Sequence, residues 1–128
     1  MKEIKQRLMA VVGRLSKLHK ETEVLKKQIE DLENLGIINA RLHWPKDKPG
    51  ALELLYSSNS EYTLRTGRRR QYIGKDPQKQ QAAKEAIERW RKHRKLLGQL
   101  GTIERHIYSI ERRVDALEQV SKGYEVRW

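Results

Sequence analysis

An α+β fold is predicted: two long heptad helices forming an antiparallel coiled coil, with a small antiparallel β-meander between them. Three observations predict it. The chain opens with an unbroken heptad and closes on a second one. Between them lies a stretch punctuated by Pro and Gly, where β-branched and aromatic residues alternate with polar ones.

Residues 1–36 form the first heptad helix. Ile4, Leu8, Val11, Leu15, Leu18, Thr22, Leu25, Ile29 and Leu32 keep a strict 4-3-4-3 spacing, and only Thr22 is not apolar. That is the seam of a left-handed coiled coil. Gly36 suits the left-handed position that follows a helix end. At 1.5 Å per residue the helix is about 50 Å long.

Residues 37–75 read as the antiparallel β-sheet. The spacing predicts strands over 37–44, 51–57, 61–65 and 69–73, with turns at Ser58-Asn59-Ser60 and Thr66-Gly67-Arg68. One face would gather Ile38, Ala40, Leu42, Trp44, Leu52, Leu54, Tyr56, Tyr62 and Leu64. Ile87 and Trp90 of the next helix would cover it.

Asp76-Pro77 announces the second helix, with Asp76 as N-cap and Pro77 at the first helical position, where no N–H is needed. Residues 76–122 form it, with a basic N-terminal half and a heptad C-terminal half, and Gly123 is expected to stop it. The tail 123–128 is expected to be a short strand or loose. The heptad runs Leu96, Leu100, Ile103, Ile107, Ile110, Val114, Leu117. Steps of three from Arg94 to Ile103 mark a change of register, where Gly98 and Gly101 allow a bend or a close helix contact. Residues 96–120 would therefore pair with the first helix, and 78–95 would pack on the sheet. A single pair of helices buries a thin core, so a homodimer is expected. The whole is read as one domain.

Composition narrows the function. The 128 residues carry a net charge of +11 and no cysteine, which excludes disulfides and Cys-based metal or redox sites. No stretch approaches the ~20 apolar residues of a membrane span. The apolar run Leu8–Val12 is too short and interrupted for a signal peptide. The expected location is cytoplasmic, at the nucleoid if DNA is bound. His19, His43, His93 and His106 show no metal spacing and read as solvated or seam-flanking side chains. With no nucleotide-binding glycine motif and no nucleophile elbow, the chain reads as non-enzymatic, with no cofactor and no metal.

The charge is concentrated. Residues 65–95 hold twelve basic and three acidic residues, net +9, and the other 97 residues net only +2. A clustered basic patch is the footprint of a polyanion partner. Arg65, Arg68, Arg69, Arg70 and Lys75 crowd a predicted β-hairpin with Gln71. A two-stranded ribbon fits the major groove, where Arg can pair with guanine and Gln with adenine. Lys79, Lys84, Arg91, Arg94 and Lys95 extend the patch along the following helix, which also carries Arg89 and Lys92. The expected ligand is nucleic acid, DNA favoured over RNA. Tyr56, Tyr62 and Tyr72 read first as core residues of the sheet and second as platforms for unpaired bases. A coiled-coil adaptor or inhibitor that docks its basic patch on an acidic protein surface stays open as the competing reading.

The pattern Tyr62-x-Leu-Arg-x-Gly-x-Arg-Arg-x-Tyr-Ile-Gly, followed by the basic helix Glu88-Arg-Trp-Arg-Lys-His-Arg-Lys-Leu, resembles small bacterial mobile-element proteins. These have a coiled-coil helix, a basic Tyr-Ile-Gly hairpin and a second charged helix. The hairpin is also similar to the arm-type DNA-binding sheets of phage integrases. The resemblance spans about 35–90 and implies a DNA-associated role, as a regulator or accessory factor of a mobile element. No integrase catalytic domain is present, so it implies no recombinase activity.

Overall fold

In the computed structural model, which describes residues 2–126, the first helix, α1, runs Lys2–Leu35 and ends where the sequence places the stop. Gly36 takes φ +97° and its N–H donates to the Glu33 carbonyl at 3.1 Å. Three strands follow: β1 Arg41–His43, β2 Leu52–Leu55 and β3 Arg70–Gly74. They form one antiparallel sheet in the order β1-β2-β3. The long last helix, α3, runs Pro77–Val126. The molecule is thus α+β, with long N- and C-terminal helices and a small antiparallel sheet between them.

The 61–65 segment is not a strand. It lies within a helix, α2, spanning Glu61–Thr66. Ser60 is its N-cap, accepting from the Thr63 N–H at 3.1 Å. Gly67, in the left-handed region at φ +74°, closes it by donating to the Thr63 carbonyl at 2.8 Å. Glu61 in the first turn and Arg65 in the last complement the helix dipole. These cap signals outweigh the alternation of Tyr62 and Leu64, and Leu64 is left 76% exposed. The basic hairpin therefore does not exist as a two-stranded ribbon: β3 pairs with β2, and α2 sits in the connection between them.

The first two strands are also shorter than expected, while β3 has the expected five residues, shifted by one. Residues 37–40 are irregular, and only Ile38 is tied across, donating to the Ala86 carbonyl of α3 at 3.1 Å. Leu42 and Trp44 are exposed, because β1 is a three-residue edge strand that packs little beneath it.

Residues Glu30–Lys95 form one compact unit; α1 up to Ile29 and α3 from Leu96 form a second. The boundaries fall inside the two helices, between Ile29 and Glu30 and between Lys95 and Leu96.

In the first unit, Leu52 and Leu54 of β2 are 0% exposed and cluster with Tyr56, Ala83 and Ile87; Ile38, Ala40, Tyr62 and Ile73 pack against them. Ile87 covers the sheet as expected, with Ala83 beside it. Burying a leucine contributes about 1.5–3 kcal/mol, so two fully buried ones dominate so small a core. Asp76 caps α3 by accepting from the Gln78 N–H at 2.9 Å. Gln80 Nε2 then donates to the carbonyls of Gly50 (2.9 Å) and Gly74 (2.7 Å), fixing the start of α3 against the strand ends.

In the second unit, Thr22, Ile29, Leu96, Leu100 and Ile107 are buried, and Val11, Leu15, Leu18, Leu25, Ile103 and Ile110 are half-buried. Burial fades along the seam. Leu8 is 52% exposed and Leu117 62%, with Ile4 and Val114 exposed as well. Leu32 belongs to the other unit. His19 Nε2 lies 3.6 Å from Glu111 Oε1. Among the described residues nothing stands within 4 Å of a Cβ placed at Gly98, so no packed neighbour requires a glycine there. Gly123 does not stop α3, whose backbone is helical through Val126. A glycine costs a helix only about 1 kcal/mol and ends it only where the chain needs a left-handed residue. The tail, expected as a short strand or loose, is therefore helix over 123–126, and 127–128 lie outside the described residues.

Leu54→Ala is expected to lower stability by about 2–5 kcal/mol, read by denaturant unfolding followed through tryptophan fluorescence.

Candidate nucleic-acid interface

The sheet has two faces, and α3 covers only one. Leu52 and Leu54 point to the helix, so Glu53 and Leu55 point away from it. Residues paired across an antiparallel sheet share a face. The register pairs Arg41 with Leu55 and Leu55 with Arg70, then His43 with Glu53 and Glu53 with Tyr72. The uncovered face thus carries two cross-strand rows, Arg41–Leu55–Arg70 and His43–Glu53–Tyr72. Arg41, Arg70 and Tyr72 are exposed, and Leu55, His43 and Glu53 are half-buried. Lys48 places its Nζ 5.1 Å from the centre of the Tyr72 ring. Glu53 is the one acidic side chain in these rows. Its Oε2 is buried with no hydrogen-bond partner among the described residues.

The basic residues singled out in the sequence divide among different positions. Arg68 and Arg69 are exposed at the entry to β3, Arg70 lies on the open face, and Lys75 follows the strand. Arg69 Nε also donates to the Tyr56 carbonyl at 3.4 Å, which fixes its stem. Gln71 points to the helix side and accepts from the Tyr56 hydroxyl at 2.7 Å. It is therefore not available on the face that carries Arg70, against the expectation that it reads a base. Arg65 is exposed on α2.

The cations of α3 do not join the open face of the sheet, because the helix packs on the opposite one. Lys84 holds its Nζ 5.5 Å from the Trp44 ring centre, Arg91 pairs with Glu88, and Arg94 stands over Trp90 at 5.6 Å. Lys79 and Lys95 are exposed. The expected single surface of hairpin plus helix is thus two surfaces back to back.

They meet at one margin. Asn39, Arg41, Leu55, Arg69, Trp90 and Arg91 line a depression of about 410 Å³ at the end of the sheet that carries Arg41 and Leu55. A second, of about 570 Å³, adjoins it through the shared residues Asn39, Tyr56 and Trp90, and adds Tyr62, Arg65 and Asn59. Tyr56 and Tyr62 stack with ring centres 4.2 Å apart. Burial first, then the neighbouring Tyr62, raise the Tyr56 pKa above the ordinary tyrosine value, and Arg65 opposes the shift.

Two polar side chains of α3 are consumed by structure. Arg89 Nε donates to the Gly36 carbonyl at 2.7 Å, and its Nη2 to that of Leu35 at 3.3 Å. α1 has no basic residue in its own last turn, so Arg89 supplies the cation that its C-terminal dipole favours. His93 is buried rather than solvated and donates through Nε2 to Glu33 Oε1 at 2.8 Å. Both contacts join residues more than fifty positions apart, and no local pattern announces them. Among the described residues no cluster of His, Asp and Glu could hold a metal ion, and no helix is long and apolar enough to cross a membrane.

Comparison of the chain with protein-family models, with curated proteins and with solved structures finds no match.

The raised pKa of Tyr56 gives a signed expectation. The neutral phenol is the form the fold favours. Its contribution is complete below the ordinary value of about 10 and is lost as pH rises through the higher folded value. Tyr56→Phe should flatten the fall in stability above pH 10 while costing about 1 kcal/mol at pH 7 through removal of the bond to Gln71, as read by urea unfolding across that range.

Proposed function

We propose that this protein is a non-enzymatic nucleic-acid-binding protein that lays the open face of its sheet on duplex DNA and acts as a homodimer. The observation that carries the reading is the row Arg41–Leu55–Arg70, set across three strands with both arginines exposed and Arg68 beside it at the entry to β3. Strands lie about 4.8 Å apart, so Arg41 and Arg70 start about 10 Å from each other. The major groove is about 12 Å wide, which lets the two guanidinium groups reach phosphates on opposite walls. Leu55, between them, then faces the groove floor, where thymine methyl groups offer apolar contact. The single carboxylate Glu53 in the neighbouring row can accept from a cytosine amino group.

The reading of the long helices as an antiparallel coiled coil in a dimer is supported by the exposed seam. Leu8, Val11, Leu18, Ile110, Val114 and Leu117 line a largely apolar groove of about 460 Å³. A second copy covers those side chains and sets the separation of two sheet faces along one duplex. The resemblance to mobile-element proteins favours a regulatory or accessory role.

One titration tests both parts. Fluorescence anisotropy with a labelled duplex at several salt concentrations should give a steep decline of affinity with salt and two chains per duplex. The variant Arg41→Ala/Arg68→Ala/Arg70→Ala should weaken binding at every salt concentration and reduce the log–log salt slope by about one for each phosphate that is no longer neutralised. Its unfolding curve should stay unchanged, because all three side chains are exposed. Unaltered affinity in the variant refutes the sheet-face reading, and one chain per duplex refutes the dimer.

A further inference from the structure

We infer that the paired depressions at the margin of the sheet hold a single unpaired base, so that the nucleic acid this protein prefers contains an extrahelical or unpaired nucleotide. The inference rests on the nucleic-acid reading above and specifies the substrate within it.

The margin has the chemistry such a base requires. Trp90 lines both depressions, is half-buried, and has the Arg94 guanidinium over its ring at 5.6 Å. Aromatic rings and arginine planes are the surfaces on which splayed bases stack. The Tyr56–Tyr62 stack adds a second aromatic surface to the larger depression. Asn39, shared by both, offers an amide that can donate and accept at a base edge. Arg41, Arg69 and Arg91 surround the smaller depression, where a backbone phosphate on either side of the base would lie. Each depression falls in the few-hundred-Å³ range of small-ligand sites.

Position supplies the second argument. Arg41 and Leu55 belong both to the open face of the sheet and to the lining of the smaller depression. A duplex lying on the face therefore runs past the mouth of the depression, and a nucleotide leaving the stack there reaches Trp90 without the duplex moving. The unstacking cost is smallest for a base that is already unpaired.

The test uses the full chain with Trp44→Phe and Trp128→Phe, which leaves Trp90 as its only tryptophan. Binding is compared on a perfectly paired 20-base-pair DNA, the same DNA with one bulged thymidine, and an RNA duplex with one bulged uridine. The expected result is quenching of Trp90 emission by the bulged duplex alone, with affinity about tenfold or more above the paired one. Trp90→Ala in the native background should abolish that preference and leave binding to the paired duplex unchanged. Arg91→Ala, exposed and away from the core, should weaken binding to the bulged duplex more than to the paired one. Preference for the bulged over the paired DNA, with Trp90 emission quenched, supports the assignment, and the relative affinity of the two bulged duplexes fixes the sugar. Equal affinity for bulged and paired duplexes, with Trp90 emission unmoved, overturns it while leaving the sheet-face reading intact. No binding to any of the three overturns both.

Discussion

The seating of β2 on α3 decides what the sheet can do. Leu52 and Leu54 are completely buried against Ala83 and Ile87, and a strand that points alternate residues one way must point the others back. That alternation turns Leu55 outward and, through the cross-strand register, brings Arg41 and Arg70 into line beside it. Gln80, bonded to the carbonyls of Gly50 and Gly74, holds the helix start against the strand ends and so keeps the two layers in register. The cationic face follows from an apolar contact on the other side of the same three strands.

The same contact divides the basic stretch. A net +9 over 65–95 looks like one surface when laid out linearly. Folded, it becomes an open sheet face and a separate helix surface that touch only where Arg41, Arg69 and Arg91 share a margin. Some of the charge is spent inside the structure: Arg89 closes the end of α1. Lys84, Arg91 and Arg94 stay near the surface but engage Trp44, Glu88 and Trp90. Counting cations along the chain therefore overstates the charge displayed on any one face, and the sheet face also includes Arg41, which lies outside the basic window.

Features governed by neighbours in sequence were legible. The Gly36 stop, the Asp76 cap, the helix that follows Pro77 and the turn at 58–60 all rest on local rules, and the structure has each. The helix at 61–66 was written in the chain as well, by Ser60, Glu61 and Gly67. The competing alternation of Tyr62 and Leu64 hid it, since six residues are too few for a helical period to show. What depended on distant partners was not legible. The pairing of β3 with β2, the burial of His93 on Glu33 and the use of Arg89 as a cap each join segments whose approach no local spacing encodes. The position of Arg41 in line with Arg70 is not encoded locally either, because only the pairing of each with Leu55 creates it.

The claim that the open sheet face is the contact surface is tested most directly by backbone amide chemical shifts during titration with duplex DNA. Saturable shifts are predicted for Arg41–His43, Glu53–Leu55 and the residues from Arg68 to Lys75, with the amides of α3 near Lys79 and Lys92 left in place. Shifts confined to those helix amides, with the sheet unmoved, would contradict the account.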